Sequence, residues 1–299
     1  MHRALAAWLT ARLWHAAFAS ALAGALATLF PLPFGVAAGA VAVLALLRFG
    51  SPVGIGIALT GAAAATLVLL GETRPTIWLF VAVALVFFGP VALANLLKRT
   101  GSMSLCVQVA VLVAAAAVVS IHVALDDPGA FWLPLVQQVI DSALDTSLYA
   151  DNERAHVVQV WAQTMWGALA AVSLALVMGA LFLGCWWHSL LSAPGAFGTE
   201  YRRLRLGVVL GTALTVLFAL LVWNGSALLA SLAWVGLPAL VFQGLAAAHR
   251  SKARGSINRG GLAAIYVLLV VPISNWLTIC ALAIWGFIDN WRRPKTQGV

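Results

Sequence analysis

The 299 residues are 63% hydrophobic and 9% charged, with a formal net charge of +8 and a mean hydropathy of +1.00. A water-soluble domain carries about 25% charged residues, so this chain lacks the polar side chains needed to cover a surface in water. Composition excludes a soluble globular protein and makes lipid the surrounding medium.

In lipid every backbone N–H and C=O must find a partner within the protein, which leaves helical bundles and closed barrels. Barrel strands alternate polar and apolar over about ten residues. Here the apolar runs are continuous and close to the length of a spanning helix, about 20 residues. The predicted fold is therefore all-α: a polytopic transmembrane helical bundle of about eight to nine spans, with residues 1–299 forming a single integral membrane domain.

In chain order, the first predicted helix covers 14–30, after Arg3 and Arg12. Its basic start resembles a signal peptide, but further apolar segments begin at once, so it reads as a retained helix. The second, 33–48, follows through Pro31, Leu32 and Pro33, and the pair reads either as two thin spans or as a re-entrant pair. Spans at 52–71, 76–97 and 103–124 come next, Pro90 marking a kink. Residues 125–160 form the longest stretch that does not span. Within it Trp132, Val136, Val139, Ile140, Ala143, Leu144 and Leu148 recur at helical spacing, with Gln138, Asp141 and Asp145 on the other face. That pattern predicts an amphipathic helix. Its polar face is acidic, which fits a lid packed on the bundle better than a helix drawn to anionic lipid. Spans at 160–190, 206–223, 227–248 and 262–288 complete the chain, with Pro238 and Pro272 as kinks. Asn224-Gly225-Ser226 matches a glycosylation sequon but reads as a short turn.

The basic residues lie in short loops: Arg48, Lys98 with Arg99, Arg202 with Arg203 and Arg205, and Arg250 with Lys252 and Arg254. They follow every second span, which puts them and the N-terminus in the cytoplasm and 125–160 outside. Positive charge so distributed needs no nucleic-acid partner. The tail does not fit, because nine spans would place Arg292, Arg293 and Lys295 outside. Either the last segment fails to cross, breaking at Pro272, or one earlier span is miscounted. Cys106, Cys185 and Cys280 lie in apolar stretches without metal or disulfide spacing and read as small core residues.

Catalytic signatures such as H-E-x-x-H, G-x-S-x-G and the phosphate-binding loop are missing, so the sequence predicts neither an enzyme nor a cofactor or metal site. Polar groups at membrane depth are costly and are functional candidates by default. Gln108 and Gln243 are the deepest amides and Asn275 follows the Pro272 break, which makes these three the candidates for lining a ligand cavity. No carboxylate lies at mid-depth, which argues against a proton-coupled pump. Asp289 is expected to anchor the last helix against Arg292 or Arg293. Ala17, Ala21 and Ala25 form a small-residue stripe beside Ser20, Gly24 and Thr28, suited to docking another membrane protein. Arg202 and Arg203 are the candidates for recruiting a partner from the cytoplasm.

Several stretches carry a family resemblance. Trp186-Trp187-His188-Ser189-Leu190-Leu191 leads through Pro194-Gly195-Ala196-Phe197 to Glu200-Tyr201-Arg202-Arg203-Leu204-Arg205-Leu206-Gly207. Phe242-Gln243-Gly244-Leu245-Ala246 precedes His249, Gly286-Phe287-Ile288-Asp289-Asn290-Trp291 closes the last helix, and Met1-His2-Arg3-Ala4-Leu5-Ala6 opens the chain. Together these resemble the YybS-like family of bacterial membrane proteins, for which no biochemical activity is established. That family is distantly similar to the substrate-binding S components of energy-coupling-factor vitamin transporters. The resemblance implies a bacterial inner-membrane location, a docking role for the Ala17, Ala21 and Ala25 stripe, and a substrate-enclosing role for 125–160. This chain departs from the S components in having more spans and an acidic outer segment. Two readings follow: a small-molecule binding or transport component, or a non-transporting scaffold that recruits partners through its basic loops. The lipid bilayer is the certain partner, and the small molecule is not identified by the sequence.

Overall fold

The computed structural model describes residues 2–72, 77–143 and 151–292. The chain forms α1 (His2–Ala11), α2 (Leu13–Ala27), a π turn (Pro31–Gly35) leading into α3 (Val36–Phe49), α4 (Ser51–Glu72), α5 (Ile77–Thr100), α6 (Met103–Ala124) and α7 (Leu133–Ala143). After these come α8 (Asp151–Ser192), α9 (Ala196–Arg202), α10 (Gly207–Asn224), α11 (Ala227–Ala253), α12 (Arg259–Val270) and α13 (Pro272–Trp291), and no strand occurs among the described residues. Eight helices there are long and apolar enough to cross a membrane: α3 with its π turn, α4, α5, α6, α8, α10, α11 and α13. The surface is apolar in the way lipid requires, with Val209, Val222, Trp223 and Ile273 each at least 86% exposed. Such residues would be aggregation sites in water. The protein is a multi-pass α-helical membrane protein.

The contacts divide the chain into two compact units, Met1–Val107 with Ser173–Leu204, and Gln108–Val172 with Arg205–Val299. In the first, α3 is the core, with every residue from Ala38 to Leu46 buried. A helix buried all round must be apolar all round, which is why this run carries no polar stripe. α2 lies along α4: the Ser20 hydroxyl donates to the Ile57 carbonyl at 2.9 Å, and a Cβ on Gly24 would stand 2.9 Å from the Gly61 carbonyl carbon. These pairings run in the same direction, so α2 and α4 are parallel. α3 turns back tightly into α4 at Gly50, whose φ of +104° suits glycine. Ser51 at the start of α4 hydrogen-bonds Asn95 near the end of α5. Arg12, Arg48, Lys98 and Arg99 therefore share one end of this unit.

In the second unit α11 and α13 cross at two glycines. A Cβ on Gly244 would stand 2.8 Å from the Leu282 carbonyl carbon, and one on Gly286 would stand 2.8 Å from Gly244 N. Side-chain contacts on both sides of the crossing fix its direction. Trp234 meets Trp276, with ring centroids 5.7 Å apart, and Arg250 pairs with Asp289. The two helices are parallel, and α12 carries the chain back between them.

The structure corrects several expectations. The segment read as one span over 262–288 is two helices, α12 and α13, parted at Val271, which adopts extended backbone (φ −73°, ψ 119°) before Pro272. The last described residues thus lie at the same end of this unit as Arg250, and Arg292 no longer conflicts with the alternation. Ahead of the first predicted span, α1 is a short helix with Ala6 and Leu9 buried, ending at the extended Arg12. α8 begins at 151 rather than 160 and is 42 residues long, about 60 Å at 1.5 Å per residue. Glu153 suits a helix N-terminus, and α7 packs on Val158 within the added turns. The amphipathic helix exists as α7, with Val136, Trp132, Leu133 and Ile140 packed on Val158, Ala162 and Met165 of α8. Val139 belongs to its outer face, being 63% exposed. Leu144, Asp145 and Leu148 lie outside the described residues, as do Arg293 and Lys295.

Candidate functional site

Gln108 and Gln243, 135 positions apart in the chain, meet on one backbone segment. Leu206, in the turn before α10, accepts a 2.7 Å bond from Gln108 Nε2 at its carbonyl and donates its N–H to Gln243 Oε1 at 2.8 Å. Gln243 is fully buried, and its Nε2 also reaches Asp289 Oδ2 at 3.4 Å and Asn290 Oδ1 at 3.3 Å. Asn290 Nδ2 in turn donates to the Gly207 carbonyl at 3.0 Å. The turn entering α10 leaves backbone groups without helical partners, and in a membrane these must be met by side chains. The two glutamines perform that service. They brace the α6, α10, α11 and α13 ends to one another, and Gln243 spends both its acceptor and its donor doing so.

Arg250 completes this network by pairing with Asp289, the two side chains being only 14% and 10% exposed. The sequence led us to expect Arg292 or Arg293 as the partner of Asp289. Arg250 takes that place because α11 and α13 run parallel and end together. Removing one member of so enclosed a pair strands the other charge, at a cost of about 3–5 kcal/mol.

Asn275 lies apart from the glutamines, at the Pro272 break. Proline has no N–H to offer the carbonyl four residues earlier, and the extended Val271 disturbs the next. Ser274 Oγ donates to the Leu268 carbonyl at 3.0 Å, and Asn275 Nδ2 donates to the Leu269 carbonyl at 2.7 Å. The amide repairs an interrupted helix. Position in the sequence marked it as unusual, but its partner was not legible there.

The opposite end of the second unit is acidic and aromatic. Asp127 Oδ1 accepts from Gly129 N–H at 2.9 Å and from Gln163 Nε2 at 2.8 Å, while Trp166 Nε1 donates to the Pro128 carbonyl at 2.9 Å. Phe131 and Trp132 pack on Trp166 with centroids 5.7 and 5.2 Å away. These bonds pin the chain between α6 and α7 onto α8. His122 Nδ1 faces the Val118 carbonyl at 3.0 Å and must carry the proton, leaving Nε2 3.5 Å from Ser231 Oγ. Ser231 is fully buried where Gly167 of α8 presses on α11, so this contact is one of packing. The sequon Asn224-Gly225-Ser226 is a turn: Gly225 adopts φ +60°, and the Ser226 hydroxyl caps α11 by accepting from Leu229 N–H at 3.3 Å.

In the first unit, Ala17, Ala21 and Ala25 are half-buried at the margin of the α2–α4 contact, and the Thr60 hydroxyl reaches the Ala17 carbonyl at 3.3 Å. The adjoining Ser20 and Gly24 are buried against α4 within the chain itself. Arg203 is exposed and paired with Glu200 at 3.0 Å, while Arg202 is half-buried and bonded to Thr199 Oγ1 at 3.2 Å.

Fold and site together define a polytopic helical membrane protein with polar braces at its helix ends and turns. Compared with known proteins, the chain matches no family model, no curated protein and no solved structure.

Proposed function

We propose that this chain is a small-molecule binding or transport component of a bacterial cytoplasmic membrane, with its basic end in the cytoplasm and its acidic end outside. The observation that carries the reading is one short apolar helix in each unit, α2 of 15 residues and α12 of 12, each ending at a proline-containing reversal. In the first, Pro31 and Pro33 lie in the π turn between the short α2 and α3; in the second, Pro272 separates the short α12 from α13. Paired unusually short or Gly/Pro-interrupted apolar segments in two parts of a membrane protein are the sequence-level sign of a transporter's binding region, because a helix that ends at membrane depth places backbone groups where a solute meets them. The resemblance to transporter S components points the same way, and the excess of Lys and Arg in the loops gives the orientation. In this reading Asn275 holds the Pro272 break in shape, while Gln108 and Gln243 brace the turn before α10.

The test is a thermal-stability screen of the purified full-length protein against pools of vitamins, nucleobases, amino acids and osmolytes, followed by uptake into proteoliposomes for any stabilising compound. One pool is expected to raise the midpoint by several degrees, through preferential binding to the folded state. A screen with no stabilising pool, combined with co-purification of a second protein chain in mild detergent, would replace transport by the scaffold reading.

A further inference from the structure

We propose that Arg205, Arg250 and Arg254 form a seat for the phosphate headgroup of an anionic phospholipid, at the basic end of the second unit. The three guanidinium groups come from separate stretches: the turn before α10, the last turns of α11, and the residue that follows α11. They are nevertheless brought to one end of the unit, where Leu206 next to Arg205 bonds Gln243 and Gln243 reaches Asp289. Arg205 Nη1 donates to the Arg292 carbonyl at 2.9 Å, Arg254 Nε donates to the Arg250 carbonyl at 3.4 Å, and Arg250 is paired with Asp289. Arg205 and Arg254 both lie within electrostatic reach of Arg250. Asp289 offsets one of the three positive charges. The cluster keeps a local excess of two, held in place by the buried Gln243–Asp289–Asn290 network.

Apolar flanks lead from the cluster along the helices. Gly211 of α10 admits Asn290 and Trp291 closely, a Cβ there standing 3.6 Å from Trp291 Cζ2, so the start of α10 and the end of α13 are neighbours. Val208 and Val209 on α10 are 71% and 86% exposed, and Ile288 and Trp291 on α13 are 45% and 46% exposed. Guanidinium groups above and lipid-facing apolar side chains below, with a tryptophan at the level between, match a phospholipid: phosphate at the head, acyl chains along α10 and α13. Arginine suits the phosphate because its planar fork offers two parallel donors. The charge excess favours a headgroup of net negative charge over a zwitterionic one. Loop charge placed only to set topology requires no such convergence, nor an apolar flank.

The experiment uses the full-length protein, delipidated in neutral detergent and titrated with phosphatidylglycerol, phosphatidylcholine or inorganic phosphate, read by native mass spectrometry and by thermal midpoint. The expected result is retention of phosphatidylglycerol over phosphatidylcholine by about tenfold or more, at about 1 kcal/mol per engaged arginine, with a matching rise in the midpoint. Arg205→Gln with Arg254→Gln should erase the preference, while Lys98→Gln with Arg99→Gln in the first unit should leave it intact. Should the Arg205/Arg254 variant keep the preference, or the Lys98/Arg99 variant lose it equally, general surface charge is at work and the seat is refuted. Equal stabilisation by inorganic phosphate would overturn the lipid assignment in favour of a soluble phosphate compound. The outcome is independent of whether the chain carries a solute.

Discussion

Replacing Gly286 by alanine tests the α11–α13 crossing directly. The added methyl group would fall 2.8 Å from Gly244 N and closer still to the Leu240 carbonyl, all of it backbone that cannot swing aside. Relief requires the two helix axes to part by about 1 Å, and overpacking of this kind costs about 1–3 kcal/mol. The separation also acts on the bonds that bridge the crossing. Gln243 Nε2 reaches Asp289 and Asn290 at 3.4 and 3.3 Å, so any outward shift breaks both. Hydrogen bonds between membrane helices average about 0.6 kcal/mol each, which brings the expected loss to about 2–4 kcal/mol. The assay is reversible unfolding of the purified protein in mixed micelles by titration with sodium dodecyl sulfate, followed by circular dichroism. Gly56→Ala is the control, since a Cβ there meets nothing within 4 Å. Adding Gly244→Ala to Gly286→Ala should cost less than the sum of the two, because the first separation makes room for the second methyl. A Gly286→Ala protein as stable as the Gly56→Ala control, within about 0.5 kcal/mol, would refute the close crossing.

Three further expectations concern the braces. Gln243→Leu leaves the Leu206 N–H buried without its acceptor and should destabilise by about 1–3 kcal/mol in the same titration, with Gln108→Leu milder because Gln108 itself is only half-buried. Asn275→Leu uncovers the Leu269 carbonyl and should lower the thermal midpoint; an unchanged midpoint would mean that the amide has another task. Trp166→Phe keeps the ring but removes the bond to Pro128, and should cost about 1 kcal/mol while speeding amide exchange over 126–132, read by hydrogen–deuterium exchange.

Continuous apolar runs made α4, α5, α6, α10 and α11 legible in the sequence, because in lipid length and hydropathy alone decide whether a segment can span. The shared end of Arg12, Arg48, Lys98 and Arg99 was legible for a similar reason, since alternation follows from counting spans. Short helices were not. α1 and α9 depend on local packing, such as the stacking of His15 on Trp8 at 4.5 Å that folds α1 back against α2. The polar groups were visible as residues but not as partners. An amide at membrane depth looks the same whether it awaits a ligand or holds a backbone carbonyl. Only the fold brings Gln108 and Gln243 to Leu206, and only the parallel path of α13 delivers Asp289 to Arg250.

The break at Pro272 also bears on how the protein is made. At 12 residues, α12 is too short to partition into the bilayer alone, where about 20 are needed. It can enter only as one arm of a hairpin with α13, after α11 is already in place with its glycine face bare. Ribosomes that stop before α13 would release a chain whose α11 glycines have never met their partner helix, a natural target for membrane quality control.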